Sequence, residues 1–329
     1  MLSALDRPVA TSVLLLGAIA IGSAIGGVAP EAGARVGALA DPLVLALVTA
    51  VFATVRLEGL RELRRCSRLA LIAAGVNFLV VPVVAFALTR LLPDEAIRLG
   101  VLTYCLAPCT DWFLGFTRLA KGDTTTGAAL VPLQMLIQLA LYPAWLAVFS
   151  GLPGSGVLES AVPALLTWFV LPAAIGLGIG LVARRVLPDR ISASVEAGVD
   201  RAVPVIIALL VVALFAGNVG TILAEPSAFA LVLGVVFLFF VAMWGIGEAV
   251  ARAFRLRRDE HALLTITTSA RNAPLMIGLT SIALPDQPLV VAAIVLGMLI
   301  EFPHLTVLTH LLRRGRREAP SVGPARVAA

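Results

Sequence analysis

The 329-residue chain is 60% apolar and only 14% charged, with a mean hydropathy of +1.00; a soluble domain runs nearer half apolar and a quarter charged. That composition excludes a soluble globular enzyme and a disordered tail protein. Of the three cysteines, Cys105 and Cys109 lie inside an apolar stretch and Cys66 in an arginine-rich loop, which also excludes a secreted disulfide scaffold. A net charge of +5 and a pI near 9.8 would point to nucleic acid in a soluble protein. Here the arginines sit between apolar segments, where they report membrane topology, and no nucleic-acid partner is expected.

Apolar stretches recur at about 9–29, 39–55, 70–90, 98–119, 125–150, 159–183, 203–223, 227–250, 260–283 and 287–312. Each is long enough for a membrane span of roughly 20 residues, so the expected fold is an all-α integral membrane protein of ten transmembrane helices. The first segment follows Arg7 and has no small-residue cleavage site, so it reads as a retained span. One side of the bilayer collects Arg7, five arginines in 56–68, Arg118 and Lys121, four arginines in 184–201, four in 252–258 and five in the tail. The other side holds Arg35, Arg90 and Arg98. This split of 21 to 3 places both termini in the cytoplasm of a multi-pass inner-membrane protein. The remaining basic residue, Arg271, falls inside a span.

Laid against itself, residues 106–138 match 269–301 without a gap, with 10 of 33 positions identical, among them Gly115/Gly278, Thr117/Thr280, Asp123/Asp286 and Met135/Met298. The offset of 163 is close to half the chain. Five spans per copy is an odd number, so the second copy enters the membrane from the opposite side. The expected organisation is an inverted five-plus-five repeat: 1–158, then 159–312, followed by a cytoplasmic basic tail, 313–329. Inverted repeats with paired interrupted helices mark secondary transporters that bind substrate near the midplane.

The fourth and ninth spans carry equivalent breaks, Ala107-Pro108-Cys109-Thr110-Asp111 and Ala270-Arg271-Asn272-Ala273-Pro274. Proline removes a backbone donor and clashes with the preceding turn, so each helix is expected to unwind there. The two breaks are expected to cross and form a binding region. An ionisable side chain at mid-span costs roughly 2.5–3.5 kcal/mol on insertion scales, so Asp111, Arg271 and Glu301 each need a partner or a task. Asp111 and Arg271 fall near each other in the repeat frame, as an ion pair that either fixes the crossing or serves transport. Glu301 aligns with Gln138, a neutral amide of similar shape. A carboxyl in low dielectric is costly to ionise, which suits a proton carrier; the alternative is a carboxyl satisfied by a hydroxyl or by His304. Cys109 lies at the break, placed for a soft, thiophilic ligand. Cys105, one turn earlier, reads as an apolar filler that at most supports it. The sequence contains no HExxH, no P-loop and no Ser/His/Asp set, so no enzyme activity and no cofactor are expected.

On these residues the chain resembles the bile-acid/sodium symporter superfamily, and within it the arsenite-efflux permeases of the arsenical-resistance type. The motifs are Ala107-Pro108-Cys109-Thr110 with Lys121-Gly122-Asp123 downstream, Arg271-Asn272, and Leu299-Ile300-Glu301-Phe302-Pro303. The resemblance implies that Cys109 and Glu301 are the essential pair. Arsenite permeases usually carry an Asn-Asn-Phe-Glu-Leu-like run in the ninth span; this chain reads Arg271-Asn272-Ala273-Pro274-Leu275, closer to the symporter branch. That branch has an acidic sodium ligand one turn earlier, where this chain has Thr267, and Arg271 puts a fixed positive charge where a cation would sit. The expected function is therefore proton-coupled efflux of arsenite or antimonite. Cys109 binds the metalloid, Glu301 carries the proton, and Thr110, Asp111, Arg271 and Asn272 shape the site. The alternative is transport of an organic anion, sodium- or proton-coupled, with Arg271 as its partner. Spans four, five, nine and ten are expected to form a core that moves against a panel made of the rest.

Overall fold

The computed structural model describes residues 8–54, 67–110, 112–149, 163, 166–284 and 287–314. Among these the chain is helical throughout, and its sole β-type pairing is an isolated antiparallel bridge between Pro108 and Arg271. The helices, in order, are α1 (Pro8–Val28), α2 (Pro30–Gly37), α3 (Ala40–Thr54) and α4, which runs Ser67–Gly75, passes through a π-helical turn Val76–Val80 and continues as Val81–Thr89. They are followed by α5 (Glu95–Leu106), α6 (Phe113–Leu119) and α7 (Thr124–Phe149). The second half comprises α8 (a π turn Leu166–Val170 leading into Leu171–Val186), α9 (Asp189–Ala224), α10 (Pro226–Ala253), α11 (Arg258–Ser269), α12 (Ala273–Ala283) and α13 (Pro288–Arg314).

Among the described residues, six stretches are long and apolar enough to cross a membrane: Pro30–Thr54, Arg68–Thr89, Thr124–Tyr142, Asp189–Ala224, Pro226–Ala253 and Pro288–Arg313, with a shorter apolar helix at Val13–Val28. The fourth and ninth expected spans do not run as single helices. Each is divided at its proline-containing break, α5 from α6 and α11 from α12. Local signals set the ends. Asp94 caps α5 by accepting the Ile97 N–H at 2.8 Å, and Asp123 accepts the N–H groups of Thr125 (3.1 Å) and Thr126 (3.0 Å) at the start of α7. Both satisfy donors that a helix N-terminus leaves open. Lys121 takes a left-handed φ of 57° in the turn between α6 and α7.

The helices sort into two groups. α1, α2, α3, α8 and α9 pack on one another. α5, α6, α11, α12 and α13 form the second group, and α4 and α10 pack onto it. The third and eighth spans therefore belong with the crossed helices and not with the panel assigned to them from sequence. The reason is polar and aromatic: α4 brings Asn77 to the Arg271 side chain (3.2 Å), and α10 lays the Phe239 ring 5.5 Å from its guanidinium carbon.

Where lipid tails are as apolar as the side chains, helices associate through close packing at small residues. Along α1, Gly26 faces α9 so tightly that an added Cβ would run into the Ala216 carbonyl oxygen and come within 2.6 Å of Val219 Cγ1. The adjacent Gly27 has nothing within 4 Å of such a Cβ. Gly26→Leu is expected to lose about 1–3 kcal/mol through overpacking, read as a lower melting temperature in detergent, while Gly27→Leu melts like the unaltered protein.

Candidate functional site

The two breaks meet edge to edge. α5 stops at Leu106 because Ala107 turns extended and Pro108 cannot continue the helix. α11 stops at Ser269, where Ala270 likewise turns extended. The two short extended pieces then pair: the Cys109 N–H donates to the Ala270 carbonyl (3.0 Å) and the Asn272 N–H to the Ala107 carbonyl (2.9 Å). Under the offset of 163 each bond is the counterpart of the other, and the bridged residues Pro108 and Arg271 are counterparts too. Asn272 also closes the crossing with its side chain. Its Nδ2 donates to Thr110 Oγ1 (2.9 Å), while its Oδ1 accepts the Leu275 N–H (3.3 Å) and so caps α12.

Arg271 is fully buried. Its guanidinium donates to the carbonyl oxygens of Cys105 (2.7 Å), Ser269 (3.3 Å) and Thr268, and to Asn77 Oδ1. Four of its five N–H groups are thus spent on neutral oxygens, with the Phe239 ring adding a cation–π contact. The expected Asp111–Arg271 pair cannot be followed, since Asp111 lies outside the described residues, as does Cys66.

Glu301, on α13, is equally buried and accepts three hydrogen bonds: from the Tyr104 hydroxyl at Oε2, and from Trp112 Nε1 and the Arg271 backbone N–H at Oε1, each 2.8 Å. One carboxyl thereby holds α5, the start of α6 and the ninth-span break together. The hydroxyl anticipated beside it is that of Tyr104. His304 instead stacks on Phe240, with ring centroids 4.7 Å apart. Cys109 and Cys105 are both buried thiols. The Cys109 peptide N–H is tied to Ala270 and the Glu301 carboxyl to Arg271, consecutive residues of one extended piece. Gln138, also buried, has no hydrogen-bond partner for either side-chain atom.

A small, shallow cleft opens beside the crossing. Thr110, Asn272, Met135 and Leu275 line one side, and Val44, Leu47 and Val48 of α3 line the other. The cleft therefore lies between the two helix groups. Cys109, one residue before Thr110, stays beneath its surface. Sequence reasoning missed Tyr104, Trp112, Asn77 and Phe239. Asn77 did leave a signal, a lone amide within an apolar span, and it sits in the π turn of α4, a deformation frequent at functional sites. Gln134 is a second such residue, donating to Thr267 Oγ1 at 2.9 Å.

Two comparisons bear on this geometry. The family described as "Sodium Bile acid symporter family" matches residues 42–225. The arsenical-resistance protein Acr3 of Corynebacterium glutamicum is 25% identical over an alignment of 340 residues that covers 94% of this chain and 89% of that protein. The resemblance drawn from the motifs is therefore supported along the length of the chain.

Lysine keeps a positive charge but offers three donors from a single point, against the four oxygens that the planar guanidinium reaches. Arg271→Lys is accordingly expected to leave buried carbonyls unpaired and to cost about 1–3 kcal/mol, measured as a lower unfolding temperature of the purified protein.

Proposed function

This chain belongs to the sodium/bile acid symporter family, and we propose from that premise that it exports trivalent arsenic, as arsenite or antimonite, in exchange for protons. The carrying observation is that Cys109 and Glu301 are fastened to consecutive residues, Ala270 and Arg271, of the same extended segment. The peptide that carries the thiol and the carboxyl are thereby linked through one short stretch of backbone. In this reading the Cys109 thiol displaces one hydroxyl from the trihydroxy arsenic species. An S–As bond forms, an As–O bond breaks, and the thiol proton leaves in a water molecule. Proton binding at Glu301 loosens the grip of Tyr104, Trp112 and the Arg271 N–H, because a neutral carboxylic acid accepts weaker hydrogen bonds than a carboxylate. Water then releases the metalloid and restores the thiol on the far side.

The energetics suffice without ATP. One proton moving inward through about 100 mV supplies roughly 2.3 kcal/mol, a gradient on the order of fortyfold. Proton coupling is favoured over sodium by Arg271, whose guanidinium already fills an enclosure of four neutral oxygens of the type a hard cation uses. The same saturation disfavours the organic-anion alternative, in which a carboxylate or sulfonate would need those donors. The reading also includes ten spans in an inverted repeat (1–158 and 159–312), both termini and the 313–329 tail in the cytoplasm, and an inner-membrane location. The α1, α2, α3, α8 and α9 group would be the frame against which the crossed helices shift.

Cells carrying Cys109→Ser and challenged with arsenite test the metalloid role: resistance is expected to vanish with protein abundance unchanged, and undiminished resistance would refute it. For coupling, Glu301→Gln in everted vesicles is expected to abolish the dependence of arsenite accumulation on an imposed pH gradient. If the E301Q variant still follows the gradient, Glu301 is removed from the proton path.

A further inference from the structure

α7 presents Met135, Gln138 and Tyr142 at successive turns of one face, all buried to 2% exposure or less. Met135 lines the cleft beside Thr110 and Asn272. Tyr142 lines a second small hollow, with Leu102, Trp145 and Met276 among its walls. Opposite α7, the consecutive residues Leu275 and Met276 of α12 divide between the same two hollows. Along α7, Gln138 therefore falls between a residue that lines one hollow and a residue that lines the other.

Its amide Nε2 and Oε1 are both buried without a hydrogen-bond partner, a rarity for a buried polar side chain. The repeat register explains why. Glu301 is cradled by Tyr104, Trp112 and the Arg271 N–H. At the offset of 163 its counterpart is Gln138, and the counterparts of those donors are Thr267, Leu275 and Pro108. Leucine has no donor, the proline nitrogen carries no hydrogen, and the Thr267 hydroxyl is engaged by Gln134 (2.9 Å). The carboxylate's cradle has a twin around Gln138 in which two donors are absent and the third, the Thr267 hydroxyl, is turned to Gln134 Oε1 (3.4 Å).

We propose that Gln138 is a hydrogen-bonding station for a small, uncharged, hydroxylated solute passing between the two hollows. The proposal rests on the arsenite reading and specifies the transported form as the neutral triol As(OH)3, the species trivalent arsenic adopts in neutral water. A primary amide offers donors and acceptors together, the complement of an O–H group that must both give and receive. Among the described residues none that lines either hollow is charged. An anion there would shed its hydration with no counter-charge, whereas a triol exchanges hydrogen bonds to water for hydrogen bonds to the amide.

The test uses full-length protein carrying Gln138→Leu and, as an unbranched replacement of similar length, Gln138→Met. Arsenite uptake into everted vesicles and melting temperature are measured for both. Melting at or above the temperature of the unaltered protein is expected, because an unpaired buried amide is gone. Uptake at subsaturating arsenite is expected to fall about tenfold, with a raised half-saturating concentration. Uptake equal to the unaltered protein in either folded variant overturns the station, and so does a lowered melting temperature in both, which would make the amide structural. If Cys109→Ser abolishes uptake while the Gln138 variants do not, the station alone fails. If the unaltered protein moves no arsenite, the arsenite reading fails and the station with it.

Discussion

Two backbone hydrogen bonds, Cys109 N–H to Ala270 O and Asn272 N–H to Ala107 O, are the constraint on which the rest of the structure depends. In hydrocarbon an unsatisfied peptide group costs several kcal/mol, and irregular backbone persists only where protein satisfies it. Two broken helices are therefore untenable separately and tenable together, provided their extended pieces lie antiparallel and in register. That register fixes which side chains meet. It sets Asn272 on Thr110, directs the Arg271 N–H at Glu301, and turns the Arg271 guanidinium toward α4 and α10. The helix grouping follows, since α4 and α10 are held to the crossing by what they give to Arg271.

Charge is handled by distribution. Arg271 faces carbonyl dipoles and an amide, and Glu301 faces an indole, a phenol and a peptide N–H. The peptide of Arg271 itself links the two sets, so cation and carboxyl share one residue as an anchor. The carboxyl is thereby linked to the segment that positions the guanidinium and, through Ala270, to the segment that positions Cys109. Among the described residues these contacts draw on α4, α5, α11, α13 and the start of α6.

Much of this is legible in the sequence because a few chemical exceptions stand out against lipid-soluble residues. The prolines at 108 and 274 locate the breaks, and the mid-span Arg271 and Glu301 locate the polar centre. Their crossing follows from the matched register of 106–138 and 269–301. What sequence does not supply is the identity of partners on elements distant in the chain. Tyr104 and Trp112 look like ordinary apolar fillers until folding brings them to Glu301. His304, three residues after Glu301, sits in the right place by numbering yet turns to stack on Phe240. The third and eighth spans fall to the panel on sequence alone because periodicity reports that a helix is buried but not which neighbour buries it. Asn77 is the overlooked clue.

The far wall of the cleft has a quieter role. Val44, Leu47 and Val48 of α3 face the crossing with aliphatic surface alone, so their side chains offer no hydrogen bond to tie that wall to one position of its neighbour. Dispersion contacts are weak individually and nearly indifferent to small translations. The far wall thus contributes packing without directional contacts, and the hydrogen bonds that fix geometry beside the cleft all lie on the side of the crossing.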